Sequence, residues 1–190
     1  MVDLSGVLPG ASVRVIIGAG EQRYPGWIAT QREDLDLLKR SDFVASFSSR
    51  LASAFLCEHV WEHLTLEEGR RAAALCFEFL EPGGYLRCAV PDGNFRDPPY
   101  RRLVQVGGPG PADHPAADHR VLYDHRLFTE VFGSAGFDVE LLEHCDEHGR
   151  FHHRPWDPAD GPTFRSWRSG PRNAHGELRF VSIIADLWKR

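Results

Sequence analysis

The chain has 190 residues, 42% of them hydrophobic and 26% charged, and 27 acidic against 22 basic side chains leave a formal charge of -5. That composition supports one buried core, excludes a disordered chain, and offers no electrostatic footprint for nucleic acid or anionic lipid. No apolar run approaches the roughly 20 residues of a membrane span, and Met1 to Gly10 lacks the basic-then-apolar pattern of a signal peptide, so a cytoplasmic protein is expected. Cys57, Cys76, Cys88 and Cys145 form no C-x-x-C pair and read as buried, reduced thiols.

In chain order, Val13 to Ile17 reads as a buried strand closed by the tight turn Gly18-Ala19-Gly20. A second short strand, Trp27 to Thr30, follows too soon for an ordinary crossover helix, so the first crossover is expected to be shortened. Asp34 to Leu38 reads as a third short strand, Ser41 to Ser49 as a short helix, and Leu51 to Cys57 as a fourth strand. Thr65 and Glu68 form a capping box for a helix with Leu66, Ala73, Phe77 and Leu80 at helical spacing. Pro82-Gly83-Gly84 then leads to a strand at Tyr85 to Val90. Asp124 caps a second helix, with Leu127, Phe128, Val131, Phe132 and Ala135 on one face. Strands at Phe137 to Leu142 and Leu178 to Leu187 complete the pattern, a single α/β domain over residues 1–190.

Ten of the 13 prolines lie in the segments Pro91 to Pro115 and Pro155 to Pro171. The long loops 91–122 and 149–176 are therefore expected to be functional, as substrate and covering segments. The second carries Phe151, Trp156, Phe164 and Trp167 as apolar anchors.

Glycines after a buried strand let backbone N–H groups approach a ligand closely. A dinucleotide fingerprint would need a glycine where Arg23 stands, which disfavours NAD and FAD. His59-Val60-Trp61-Glu62-His63 spells H-x-x-E-H, a pattern that supplies two zinc ligands only when both imidazoles share a helical face. Here His59 follows an apolar strand directly, so a zinc hydrolase ranks third. Asp113-His114, Asp118-His119 and the cluster His144, His148, His152 and His153 offer metal-ligand types, but no functional metal is expected.

Gly18-Ala19-Gly20, Pro25-Gly26-Trp27-Ile28, Glu58 to Leu64, Glu81 to Arg87 and Val90-Pro91-Asp92-Gly93 resemble, in order and spacing, the class I S-adenosylmethionine (SAM)-dependent methyltransferases. The small bacterial branch described as methyltransferase type 11-like is the nearest pattern. The resemblance continues through Asp118 to Tyr123, Ala135-Gly136-Phe137, Trp156-Asp157-Pro158, Pro171-Arg172-Asn173 and Ser182-Ile183-Ile184. It implies a three-layer Rossmann-like fold with a mostly parallel sheet, an antiparallel C-terminal strand, and SAM as cofactor. It further implies that Gly18, Ala19 and Gly20 border the methionine end of the cofactor, Thr30 and Gln31 face the ribose, Leu35 and Asp36 lie near the adenine, and Glu58 and His59 lie near the sulfonium. Two departures from the family pattern stand out: Thr30 and Gln31 occupy the place of an acid, and Gln22 that of the last glycine.

The function expected is SAM-dependent methyl transfer to a small-molecule or sugar-like acceptor. His63 and His119 are candidate general bases and Asp118 or Asp92 the orienting carboxylate. The alternative is a non-catalytic binding or scaffold protein on a degenerate methyltransferase fold.

Overall fold

The computed structural model describes residues 10–47, 50–173 and 176–190, together with Val2, Leu4 and Leu8. Its strands are β1 (Arg14–Ile17), β2 (Ile28–Ala29), β3 (Ala52–Glu58), β4 (Leu80–Pro91), β5 (Asp138–Cys145), β6 (Phe151–His153) and β7 (Ser182–Trp188). The helices are α1 (Arg40–Phe47), α2 (Leu66–Phe79), α3 (Pro98–Val104) and α4 (His125–Gly133). One seven-stranded sheet has the order β2-β1-β3-β4-β7-β5-β6. The first four of these strands run parallel, β7 is antiparallel to both β4 and β5, and β6 closes a hairpin on β5.

The shortened first crossover is present: β1 and β2 pair in parallel with no helix between them. Side chains of β1, β3, β4 and β7 alternate across the sheet, as the pleat requires. Val15, Ile17, Phe55, Cys57, Leu86, Cys88, Val90, Ile183 and Ala185 meet Phe43 and Phe47 of α1, Ala73 and Cys76 of α2, and Phe128 and Phe132 of α4. The two sequence-read caps hold their helices. Thr65 and Glu68 exchange side-chain and backbone hydrogen bonds, and Asp124 accepts from Arg126 N and Leu127 N. Each satisfies N–H groups that a helix start leaves open.

Loops cover the opposite face, and α3 packs Tyr100 and Val104 with Phe95, Cys145, Phe180 and Val181 in a separate cluster. Ile16, Ala54 and Leu56 pack with Trp27, Tyr24 and Tyr85, while Ala89, Leu142 and Ile184 take Trp156. Arg87 organises this layer, although it stands on a central strand. Its guanidinium is bidentate to Asp186 at 2.7 and 2.8 Å, donates to the carbonyls of Asp157 and Gly161, and lies 4.8 Å from the Trp156 ring centroid. A buried cation with its donors satisfied thus pins the Trp156-Asp157-Pro158 stretch to the sheet.

The structure corrects several expected elements. Asp34 to Leu38 is not a strand: Asp34 N and Leu35 N both turn back to Gln31 O, and Asp36 accepts from Leu38 N, so the backbone is committed to turns. The C-terminal strand begins at Ser182 and not at Leu178, because the Asn173 side chain accepts from Arg179 N and Phe180 N and donates to Phe180 O, taking the place of a strand partner. The short helix starts at Arg40, and its expected end at Ser49 lies outside the described residues. α3 and β6 were not anticipated. Pro98 and Pro99 open α3, with Asp97 as its N-cap, a pairing that proline's preference for the first helical turn explains. All four cysteines are buried and free, as expected.

Candidate functional site

β1, β3 and β4 end on the same edge of the sheet, and the chain leaves β1 toward β2 on one side and enters β3 on the other. Open parallel sheets take ligands at such a reversal of strand order. A cavity of about 790 Å³ lies there, bordered by Gly18, Ala19 and Gly20 after β1, Glu58 and His59 at the end of β3, and Pro91 at the end of β4. A smaller one of about 270 Å³ is lined by Leu35, Asp36 and Asp118, and shares Gly18, His59 and His63 with the first.

The glycine turn has the backbone its sequence suggests. Gly18 has φ +63° and Gly20 φ +52°, values that L side chains avoid. A Cβ on Gly18 would stand 2.7 Å from Val60 Cγ2, whereas one on Gly20 would meet nothing within 4 Å. Gly18 is therefore required by packing, and Gly20 leaves open space beside the cavity.

Thr30 and Gln31 line neither cavity. Thr30 is buried and donates its hydroxyl to Ile16 O at 2.8 Å. Gln31 accepts from Gly20 N and donates to Gly20 O at 2.8 Å, so both halves of its amide brace the turn. Leu35 and Asp36 do reach the smaller cavity. The Asp36 carboxyl loses stability as an anion through burial, but the Leu38 N–H and the Arg32 and Lys39 cations outweigh that and hold it below its ordinary value.

Glu58 is buried and accepts from Phe164 N at 3.0 Å, Arg165 N at 2.7 Å and the Gln22 amide. It thereby ties the 149–176 segment to the end of β3. Glu143, on β5, does the same with Trp156 Nε1 and Trp167 N. Phe164, read as an apolar anchor, is instead 53% exposed at the cavity wall. Arg165 and Arg172 also border the cavity. Neither was singled out from the sequence as a site residue, although Arg172 sits in the Pro171-Arg172-Asn173 stretch.

After β3 the chain bends at His59, whose φ of 57° is the only positive value at a non-glycine among the described residues. Such strain persists only where the surroundings fix it; here His59 N donates to Ala89 O at 2.8 Å and Nε2 meets Ser182 Oγ at 3.0 Å. Trp61 to His63 then form a single 3-10 turn. His59 and His63 therefore share no α-helical face, and the H-x-x-E-H pattern does not form a zincin site.

His63, Asp118 and His119 do come together. The Glu62 carbonyl accepts from Arg120 N at 2.7 Å and Val121 N at 3.2 Å, clamping the end of the 91–122 loop against the 3-10 turn. His63 Nδ1 stands 2.7 Å from Asp118 Oδ1, and the two histidine rings meet edge to face with centroids 4.9 Å apart. Burial lowers the His119 pKa, more than its contact with Val104 O raises it, and so favours the neutral ring. Asp92 lies elsewhere: fully buried, it accepts from Asn94 N and Cys145 N, and burial pushes its carboxyl up to about 6. Asp118 is thus the carboxylate that reaches a histidine of the site, and Asp92 is not. The histidines at 125, 144 and 152 form a separate stack by β5 and β6.

No protein-family model matches the chain, and no curated protein matches it. Solved structures do. A SAM-dependent methyltransferase from Archaeoglobus fulgidus superposes with a TM-score of 0.50 at 11% identity over 94% of this chain and 85% of that one. PigF with SAH gives 0.51 at 10% identity over 93% of this chain, and LepI in complex with SAM gives 0.53 at 6% identity over 97%. The chain spans only 50% of the PigF chain and 45% of the LepI chain. Among the described residues no helix is long and apolar enough to cross a membrane. At these identities the likeness is one of architecture: the chain has the class I SAM-dependent methyltransferase fold.

Proposed function

We propose that the protein binds SAM at the β1 and β3 ends and transfers its methyl group to a small-molecule or sugar-like acceptor. The observation that carries this reading is the convergence of the glycine turn, Glu58 and His63, whose ring Asp118 holds from outside, on one cavity edge. The residues fit the cofactor. Gly20 leaves room for its methionine end, Leu35 and Asp36 furnish an apolar contact and a carboxylate for the adenosine end, and Glu58 with His59 lies where a sulfonium cation would be favoured. Asp36 offers the charge that neither Thr30 nor Gln31 carries, and these two residues support the turn from behind.

SAM supplies an electrophilic methyl group on a sulfonium, and S-adenosylhomocysteine (SAH) remains once an oxygen or nitrogen of the acceptor has taken it. His63 receives the acceptor proton at Nε2, because its Nδ1 faces Asp118. Asp118 orients the ring and stabilises the imidazolium that forms. His119, kept neutral by burial, packs against His63 and adds no competing charge. Phe164 and Arg165, held by Glu58, shield the transfer from water.

A scaffold protein on the same fold is the second reading. Its support is that Thr30 and Gln31, which stand where the family pattern has an acid, direct their side chains to the backbone. SAH release from SAM over a panel of polyols and small hydroxylated and amino compounds separates the two. Methyl transfer that falls at least tenfold in His63→Ala supports catalysis, and no turnover with any acceptor together with no SAM binding supports the scaffold.

A further inference from the structure

Glu62, His63 and His119 each place one ligand-type atom within 4.8 Å of the others, and all three line the larger cavity. The set is not the H-x-x-E-H pattern, since His119 replaces His59. Both imidazoles are oriented from behind. His119 Nδ1 lies 3.0 Å from the Val104 carbonyl, which can only accept, so Nδ1 carries the proton and Nε2 keeps its lone pair. Asp118 does the same for His63 at 2.7 Å. Histidines that ligate metals are held in this way, with the remote N–H donated to a carboxylate or carbonyl.

Glu62 gives an independent sign. Its side chain is 1% exposed and neither carboxylate oxygen has a hydrogen-bond partner in the protein. The nearest cationic group is His59 Nδ1, 3.0 Å from Oε1, which forms an ion pair with it only when that ring is protonated. A buried carboxylate is expected to be paired or to coordinate a cation.

We propose that Glu62, His63 and His119 bind one divalent transition-metal ion. Two imidazoles and a carboxylate suit Zn²⁺, Co²⁺, Fe²⁺ or Mn²⁺ and leave coordination positions open toward the cavity. Mg²⁺ and Ca²⁺, which prefer oxygen donors, are disfavoured by the two nitrogens. With an ion bound, His63 Nε2 would be a ligand and could take no proton; the ion would instead hold the acceptor oxygen and favour its ionised form, replacing His63 as the source of activation. That use rests on the methyl-transfer reading, whereas ion binding rests on the donors alone.

The test uses the full chain, without a polyhistidine tag and stripped with chelator, titrated with CoCl₂ and ZnCl₂ by calorimetry and by visible absorption of Co²⁺. One ion per chain is expected, with affinity reduced at least tenfold in His119→Ala and in Glu62→Gln and unchanged in His152→Ala. Should Glu62→Gln fail to fold by circular dichroism, the more exposed His63→Gln serves as the second variant. Absence of stoichiometric binding, or binding that the site variants leave unaltered, overturns the proposal. A parallel SAH titration of the stripped protein keeps the two readings apart: an ion bound without SAH binding refutes the cofactor reading alone, and SAH bound without an ion refutes the metal site alone.

Discussion

Gly18 and Gly20 have the same backbone sign but different surroundings, so replacing each with alanine separates two costs. A left-handed L residue costs roughly 1–2 kcal/mol, and this is the whole expected penalty for Gly20→Ala, whose Cβ meets nothing within 4 Å. Gly18→Ala adds a methyl group 2.7 Å from Val60 Cγ2, an overpacking worth about 1–3 kcal/mol more. Its total is therefore roughly 2–5 kcal/mol. Urea denaturation of both variants, in the wild-type and Val60→Ala backgrounds, reads the difference. Val60→Ala removes the clashing atom, so the gap between the two glycine variants should close there, with a coupling of about 1–3 kcal/mol. Binding should follow the opposite order relative to stability: Gly20→Ala stays folded yet loses SAH affinity, because its methyl group enters the space assigned to the methionine end. Equal destabilisation by the two variants, or a gap that persists without Val60, would refute the packing argument. Unchanged SAH affinity in Gly20→Ala would refute the placement of the cofactor.

Asp92 titrates near 6 in the folded chain against 3.8 unfolded. Its contribution to stability is accordingly complete below pH 3.8 and lost as pH rises through 6, by about 3 kcal/mol; Asp92→Asn should lose less stability than wild type between pH 4.5 and 7, and parallel curves would contradict this. Asp186→Ala leaves the Arg87 guanidinium buried without its bidentate partner and should cost about 3–5 kcal/mol, while Arg87→Met with Asp186→Leu recovers part of that, as read by thermal denaturation; a double variant no more stable than the single one would speak against it. Glu58→Ala removes the acceptor for Phe164 N and Arg165 N, so trypsin should cleave after Arg165 or Arg168 several-fold faster than in wild type, and an unchanged rate would show that Glu143 and Arg87 hold the segment alone.

Where local chemistry determines structure, the sequence was informative. The β-branched run before Gly18 forms β1, and the Thr65–Glu68 box and Asp124 start their helices because each supplies hydrogen bonds that the helix lacks. The shortened first crossover followed from chain length alone. Elements fixed by distant partners were not legible. Asp34 to Leu38 has a strand-like polar/apolar alternation but folds into turns, with Leu35 and Leu37 buried in the core beside Phe43. Phe180 is held by the Asn173 side chain, and an arginine on a central strand, Arg87, anchors the covering layer through Asp186. The candidate site divides in the same way. The glycine turn and the Glu58 to His63 stretch are contiguous motifs, while the meeting of His119 with Glu62 and His63 depends on backbone hydrogen bonds from Arg120 and Val121 to the Glu62 carbonyl. Glu58 and Gln31 sit at motif positions, yet the structure gives both partners within the chain, which no spacing in the sequence could reveal.

Calorimetric titration of the full chain with SAH tests the central claim most directly, because it requires no knowledge of the acceptor. The account predicts one site per chain and a rise in melting temperature that grows with ligand concentration. No heat and no thermal shift at millimolar SAH would contradict it and leave the methyltransferase fold serving another purpose.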